Sequence, residues 1–200
     1  GHQHTGKGLS LSLVGNGHSA GQTNPGAGVF RVDSPADLLS SPSGSFSGPL
    51  TKKEIVSRIT GSSETQRYEV PSEAGSYSLE YAYISQRGYY PESLHKKNQD
   101  TYCVQTAFRS PDCCLFGVFD GHGENGTPCA AFARDRITEL LKAHRSLTSD
   151  PEEAYRDAFL EANKMLHRAY VDDSMSGTTA ITVMVQGRFI YVANVGDSRA

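Results

Sequence analysis

The sequence predicts an α+β fold in which antiparallel strands precede and follow a pair of helices. Runs of β-forming residues at 77–84, 101–108 and 113–119 predict the first strands. Helix-start signals at 127–128 and 150–153, each with a proline near the first helical position, predict the helix pair. Two β-branched, apolar runs return in the last quarter of the chain and are joined by a glycine-containing turn of hairpin length.

Composition and charge disfavour several kinds of partner and location. The chain has 200 residues, a formal net charge of -3 and a pI near 6.2, which disfavours nucleic acid or an anionic membrane as the main partner. It contains no apolar run of about eighteen residues, so we expect no transmembrane segment, and its polar start shows no signal peptide. The four cysteines have no zinc-binding spacing and are expected to be reduced, which predicts an intracellular protein, cytoplasmic or nuclear or both.

Residues 1–75 differ in composition from the remainder. They contain 12 of the 20 glycines but only three of the 18 aromatic residues, and serine and proline are abundant. Such a segment buries too little apolar area to offset its ordering entropy, so it is predicted to be disordered, apart from a short helix at 52–59. The ordered domain is expected to occupy residues 76–200.

The second and third predicted strands form a hairpin that brings two carboxylates together. Asp100 stands where the strand at 101–108 begins, and Asp120 stands where the strand at 113–119 ends. The turn between them, 109–112, is short. Because the outer ends of a short antiparallel hairpin lie side by side, both carboxylates should lie at one rim of the sheet.

Asp120 is followed by residues suited to metal and acid chemistry. Gly121 has no side chain, so its carbonyl can approach a ligand closely. A carboxylate beside a carbonyl offers the hard oxygen ligands that Mg²⁺ or Mn²⁺ prefers. His122 adds a group that titrates near neutral pH. This stretch therefore predicts a divalent-metal site beside a general acid.

Two other interpretations of this stretch exist. Asp-Gly is a common turn pair, so Asp120 and Gly121 alone would indicate no more than a turn. Residues 121–126 also match the glycine pattern of dinucleotide-binding sites. That fold requires a strand after the helix and an acidic residue about twenty positions on, whereas here a second helix follows and Asp150 is its cap. The dinucleotide interpretation is disfavoured.

The remaining elements follow from capping and periodicity. Thr127 is predicted to cap the first helix, with Pro128 in its first turn, and Asp150 to cap the second. Each helix has one apolar face, and the linker is short, so the helices should pack antiparallel on a sheet. Strands at 178–185 and 188–195 form a hairpin, and the chain stops just after it, so the domain is expected to be incomplete at its C-terminus.

Four separated motifs carry a family resemblance. They are 98–100 (NQD), 118–123 (VFDGHG), 176–180 (SGTTA) and 192–200 (VANVGDSRA). In this order and spacing they resemble the metal-dependent protein phosphatases of the PP2C type, over about residues 75–200. Residues 86–91 (QRGYYP) look most like plant proteins in which such a domain precedes cyclic-nucleotide-binding and kinase domains.

The resemblance implies a fold and a mechanism. The family fold is a sandwich of two antiparallel sheets flanked by helix pairs. By resemblance, Asp120 bridges two Mg²⁺ or Mn²⁺ ions, the Gly121 carbonyl binds one of them, and Asp100 holds metal-bound water. Asp197 would lie near a further, weaker ion, and His122 would protonate the leaving alkoxide. A metal-bridging hydroxide would then attack the phosphoserine or phosphothreonine of a phosphoprotein substrate.

The chain departs from the family pattern in one motif. The family usually has Glu-Asp where this chain has Gln99 and Asp100, and an arginine that grips the substrate phosphate where this chain has His95. Arg87, or one of the two lysines after His95, is the candidate replacement. These departures support a second hypothesis, a catalytically inactive module of the same fold that regulates an attached or partner kinase. A purely structural role would have to explain every polar motif by turn propensity alone.

Overall fold

The computed structural model describes residues 51–90, 93 and 96–200, together with the backbone of Ser10–Gly15. The chain divides into two units, 17–58 and the remainder. Among the described residues of the first unit is α1 (Lys52–Val56). The Thr51 hydroxyl accepts a hydrogen bond from the Glu54 N–H at 3.3 Å, and the Glu54 carboxylate accepts one from the Thr51 N–H at 2.8 Å. The predicted short helix is confirmed, although it ends before Ile59.

The second unit contains two sheets. The first consists of β1 (Ser10–Gly15), β2 (Ile59–Ser62), β3 (Gln66–Ser72) and β4 (Gly75–Gln86). The three shorter strands all pair antiparallel with β4, which is therefore the centre of the sheet.

The prediction that residues 1–75 are disordered is wrong for the parts that form β1, β2 and β3. β3 is polar on average, but it pairs with β4 along its whole length and fully buries Val70. A backbone partner and a single well-buried side chain thus order a segment whose composition predicted disorder. For residues 1–9 and 16–50 the prediction lies outside the described part of the chain.

The second sheet has five strands, and every pairing in it is antiparallel. They are β5 (Asp100–Gln105), β6 (Cys113–His122), β7 (Gly177–Thr178), β8 (Ala180–Gln186) and β9 (Phe189–Val195). Their order is β5, β6, β8, β9, and β7 pairs with the last two residues of β6. The predicted strands exist but their bounds differ. β5 ends at Gln105 instead of residue 108, and β6 continues through His122. The strand predicted at 178–185 is divided at Thr179 into β7 and β8. The hairpin turn lies one residue later than predicted, because Gln186 still pairs with Phe189.

Two helices, α2 (Gly126–Ala143) and α3 (Pro151–His167), complete the described architecture. Asp150 caps α3 as predicted, accepting a hydrogen bond from the Glu153 N–H at 3.0 Å. The predicted Thr127 cap of α2 is wrong, because the helix begins at Gly126 and Asn125 is its N-cap. The Asn125 side chain makes no cap hydrogen bond and donates instead to the Asp172 carbonyl.

The sandwich prediction is confirmed by two buried clusters on opposite faces of the second sheet. One face packs against α2 and α3, and its cluster contains Leu115, Phe119, Met184 and Leu141. The other face packs against the first sheet through a cluster formed by Val70, Leu79, Tyr81, Cys114, Phe116 and Val185. Among the described residues, no helix has both the length and the hydropathy needed to span a membrane.

Candidate functional site

The two predicted carboxylates meet at the end of the β5–β6 hairpin. Asp100 and Asp120 are direct cross-strand partners, so their side chains project from the same face of the sheet. Burial is the main reason that the pKa of Asp100 is raised from 3.8 to about 7, followed by the negative charge of Asp120 and a hydrogen bond between the two side chains. The arrangement gathers negative charge that a cation would neutralise.

Most of the predicted site residues surround one cavity of about 980 Å³. It is lined by the predicted metal and catalytic residues Asp100, Asp120, Gly121, His122 and Asp197. Residues separated by up to 97 positions in sequence are therefore brought to one space by β5, β6 and the turn that follows β9.

Arg87, the predicted phosphate-binding residue, does not line this cavity. It lines a neighbouring cavity of about 490 Å³. Asp100, Lys96 and Lys97 line both cavities, whereas Arg87 borders only the second one. The Lys96 ammonium lies 4.0 Å from the centre of the Tyr90 ring, a cation–π distance. His95, which stands where the family usually has the phosphate-binding arginine, lies outside the described residues.

Gly121 is required by the close approach of three backbone segments. A Cβ atom at this position would lie 2.3 Å from the Gly126 carbonyl oxygen and 2.8 Å from the Gln99 carbonyl oxygen. The end of β6, the start of α2 and the start of β5 can pack this tightly only without a side chain. The same packing keeps the Gly121 backbone beside the acidic pair.

His122 lies against a second glycine. Gly177 pairs with His122 across β6 and β7, and a Cβ at Gly177 would lie 2.9 Å from the His122 Nε2 atom. A side chain at position 177 would therefore displace the imidazole from the place it occupies here. This gives the glycine of the SGTTA motif a physical role in placing the predicted acid.

Gln99 secures the loop after β6. Its side-chain Nε2 donates a hydrogen bond of 2.7 Å to the Gly123 carbonyl. Gly123 has a φ of +80°, and a Cβ there would lie 2.3 Å from the Met175 carbonyl oxygen. The amide where the family usually has a glutamate thus acts as a donor to the loop, which a carboxylate could not do.

Thr179 is the residue whose role the sequence did not indicate. Its hydroxyl accepts a hydrogen bond from the Asp120 N–H at 3.1 Å and lies 2.7 Å from the Ser198 hydroxyl. Its own N–H donates to the Asp120 carbonyl at 2.9 Å. The only signal in the sequence was its membership of the SGTTA motif, which carries no information on these partners.

Comparison with known proteins agrees with this geometry. The family model described as Protein phosphatase 2C matches residues 93–200, which include the whole acidic hairpin and the β7–β9 region. The chain belongs to the protein phosphatase 2C family. Proteins of this family are generally metal-dependent.

Individual relatives come from plants. The chain is 48% identical over 162 residues to "Probable protein phosphatase 2C 35" of Arabidopsis thaliana, covering 80% of this chain and 46% of the relative. It is 40% identical over 111 residues to "Probable protein phosphatase 2C 64" of Oryza sativa subsp. japonica, covering 52% of this chain and 26% of the relative. The chain therefore spans less than half the length of these relatives.

Solved structures of phosphatases are also similar. A crystal structure of a bacterial serine phosphatase variant is 21% identical with a TM-score of 0.45, covering 70% of this chain and 56% of the other. The serine-threonine phosphatase 2C from Toxoplasma gondii is 17% identical with a TM-score of 0.43, covering 71% and 46%.

The residues at the protein phosphatase 2C site fit a hard divalent cation. Two carboxylates face each other, and the backbone of Gly121 borders the same cavity, so the donor set is oxygen. Burial and then the charge of Asp120 raise the pKa of Asp100, and a cation beside the pair would favour the charged form of both carboxylates. Within the described residues, no three His, Cys, Asp or Glu side chains cluster closely enough to hold one ion together.

Proposed function

We propose that the full-length protein is a metal-dependent protein phosphatase that hydrolyses phosphoserine and phosphothreonine in phosphoprotein substrates. The observation that carries the proposal is the direct cross-strand pairing of Asp100 with Asp120. Gly121 and His122, the next two residues of β6, line the same cavity in a chain of the protein phosphatase 2C family.

The proposed cofactors are two Mg²⁺ or Mn²⁺ ions. Asp120 and the Gly121 carbonyl would hold them directly, Asp100 would act through water, and Asp197 would serve a further, weaker ion. When bound, such ions supply a water of lowered pKa as nucleophile and neutralise charge on the phosphate. The protein contributes the opposed carboxylates, whose fixed register presents both to one cavity.

His122 is the proposed proton donor to the leaving group. Serine and threonine alkoxides are strong bases, so their departure requires a proton in the transition state. His122 is exposed to the cavity and is held against Gly177. The positive charges of Lys96 and Lys97 border the same space and would attract the substrate phosphate, with Arg87 in the adjoining cavity.

The test of the proposal uses the full-length protein and a phosphothreonine peptide. Phosphate release should require Mn²⁺ or Mg²⁺ and stop with EDTA. Asp120→Asn should abolish it without unfolding the protein, because it removes a ligand charge and also relieves repulsion with Asp100. The matched control is Asp135→Asn on the outer surface of α2, half of whose side chain is exposed, which should keep full activity. Wild-type turnover in Asp120→Asn would contradict the proposal.

The role of His122 has a separate test. His122→Ala should slow hydrolysis of the phosphothreonine peptide by about a hundredfold or more, the usual contribution of a general acid. It should slow hydrolysis of p-nitrophenyl phosphate far less, since nitrophenolate leaves without a proton. Equal losses on the two substrates would remove His122 from the acid role.

A finer proposal concerns the whole protein. The relatives from Arabidopsis thaliana and Oryza sativa support a plant phosphatase. The QRGYYP segment supports the further proposal of an intracellular protein in which the phosphatase domain accompanies cyclic-nucleotide-binding and kinase domains. Sequencing the parent transcript in both directions tests this arrangement. If the full-length protein binds Mn²⁺ and folds but releases no phosphate, the catalytic proposal fails, and the non-catalytic module becomes the hypothesis to test.

A further inference from the structure

Thr179 interrupts the regular backbone pairing between β6 and its neighbours. The register places Thr178 opposite Gly121 and Ile181 opposite Val118, so Thr179 stands opposite Asp120. In a regular antiparallel pair, facing residues at alternate positions exchange both backbone hydrogen bonds, and the Thr179 N–H bond shows that this is such a position. Here the Thr179 N–H donates to the Asp120 carbonyl, but the Asp120 N–H donates to the Thr179 hydroxyl.

The Thr179 carbonyl does not pair with the Asp120 N–H and has another partner. The Thr179 carbonyl accepts a hydrogen bond of 2.8 Å from the hydroxyl of Thr178. The two consecutive threonines therefore replace one rung of backbone pairing by side-chain bonds at the position of Asp120. The hydroxyl oxygen that accepts from the Asp120 N–H keeps a further lone pair and its own O–H proton, so it can bond a second partner at the same time.

That second partner belongs to the turn containing Asp197. The Thr179 and Ser198 hydroxyl oxygens lie 2.7 Å apart. Gly196, with a φ of +105°, packs so closely that a Cβ there would lie 2.8 Å from the Thr179 Cγ2 methyl. The hydroxyl and the methyl of one side chain thus contact the residues on either side of Asp197, while the hydroxyl also holds Asp120.

We propose that Thr179 is a positioning residue that fixes Asp197 relative to Asp120 through its hydroxyl. The two aspartates lie 77 positions apart, Asp120 in β6 and Asp197 in the turn after β9, yet this single side chain touches the backbone of one and both neighbours of the other. Insofar as the aspartates bind metal, the inference rests on the proposed function. Loss of the hydroxyl should loosen the Asp197 turn and weaken metal binding, with no group removed from the cations themselves.

Substituting Thr179 by valine or by serine tests the role of its hydroxyl separately from that of its methyl group. Thr179→Val keeps the branched shape, the methyl facing Gly196 and the backbone N–H, but removes both hydroxyl contacts. Thr179→Ser keeps the hydroxyl and removes the methyl. Ser198→Ala cuts only the contact to the turn and leaves the bond to the Asp120 N–H. The control is Thr182→Val, the same change at a fully buried residue of β8. Its position differs from that of Thr179 by an odd number, so its side chain lies on the other face of the sheet.

The first measurement needs no metal. Hydrogen–deuterium exchange of the metal-free, full-length protein is followed in peptides covering 118–122 and 194–200. Thr179→Val should accelerate exchange in both peptides by about tenfold, the effect of losing one buried hydrogen bond. Ser198→Ala should accelerate only the second peptide, and Thr179→Ser and Thr182→Val should change neither. Wild-type exchange in Thr179→Val, or equal acceleration in Thr179→Ser, would overturn the inference.

The second measurement is Mn²⁺ binding, read from the electron paramagnetic resonance signal of free Mn²⁺ and therefore independent of turnover. The Mn²⁺ concentration for half-saturation should rise about tenfold in Thr179→Val and return to within about twofold of wild type in Thr179→Ser. Unchanged binding in Thr179→Val would contradict the link to metal. If the wild-type protein binds no Mn²⁺, the proposed function fails, and the exchange experiment alone decides the positioning role.

Discussion

The two faces of the five-stranded sheet differ in how completely the middle of β9 is covered. On the face toward α2 and α3, Leu115, Phe119 and Met184 are entirely buried. The central β9 residues Tyr191 and Ala193 pack against this cluster, although the ends of the strand, Phe189 and Val195, are exposed. On the other face the first sheet covers β5, β6 and part of β8, but the neighbouring β9 residues Ile190 and Val192 remain 65% and 54% exposed. The candidate site lies at the rim of this second, partly covered face.

A single pair of residues shows what the difference means. Val183 and Val192 are direct cross-strand partners of the same residue type on the same face, yet one is 6% exposed and the other 54%. The two valines have the same strand propensity, but β8 is paired on both sides, whereas β9 pairs only with β8 among the described strands. The difference in burial therefore reflects both the position of each strand in the sheet and the layer opposite it.

The largest effect is expected on the face toward the helices. Met184→Ala should lower the free energy of unfolding by about 2–5 kcal/mol, because a fully buried side chain is replaced by a cavity between the sheet and the helices. Denaturant unfolding of the full-length protein measures this. A loss below about 1 kcal/mol would show that this layer is loosely packed and would remove the contrast between the faces.

The matched valines provide the next test. Val183→Ala should cost about 2 kcal/mol, from two buried methyl groups at roughly 0.8 kcal/mol each plus a small cavity. Val192→Ala should cost less than about 0.5 kcal/mol, as expected for an exposed position. Equal losses in the full-length protein would show that its other segments cover β9 and close the second face.

The acidic pair makes the second face sensitive to pH. The pKa of Asp100 is raised to about 7, so between about pH 4 and 7 the metal-free folded protein holds a proton that the unfolded chain has released. This contribution to stability is complete below pH 4 and is lost as the pH rises through 7. The midpoint of thermal unfolding should therefore fall over this range, and the slope should be smaller in Asp100→Asn. An identical slope in that variant would assign the pH dependence to other groups.

The smallest effect concerns two neighbouring thiols that point to opposite faces. Cys113 belongs to the cluster facing the helices and Cys114 to the cluster between the sheets, and burial raises the pKa of both thiols. Both should react with a thiol reagent only when the protein unfolds, and at similar rates. Selective labelling of Cys114 in the folded protein would show that the uncovered region extends from Ile190 and Val192 on β9 as far as β6.

Local information was sufficient to predict the centre of the site. The two strands are close in sequence, so the meeting of Asp100 and Asp120 at one rim followed from their places at the outer ends of the hairpin. The exact register did not follow, because β5 ends at Gln105 and the connection is longer than the predicted turn at 109–112. The cap of α3 is equally local, because Asp150 and Glu153 lie within one helical turn. Such features depend on neighbours in sequence and need no knowledge of the other layers.

Features that depend on distant partners could not be predicted. Thr179 bonds to Asp120 across 59 positions, and nothing in the sequence indicates that its hydroxyl replaces a backbone acceptor. β3 contains Pro71 and several polar residues and is ordered by pairing with β4, its partner among the described strands. Asn125 caps α2 in place of Thr127 because the preceding loop is tied to Asp172 and Ser176.

The register of the β5–β6 hairpin has a consequence for natural and engineered changes of length. Side chains on a strand alternate between faces, so deleting one residue between the turn and either aspartate would move that carboxylate to the side of the helices. A deletion of two residues would keep the face but shift one carboxylate past the other by about 7 Å. Changes of length in the turn, residues 106–112, leave both strands in step. We therefore expect length polymorphism in this hairpin to be confined to the part of its turn away from the buried Phe108, where it would keep the two carboxylates in register.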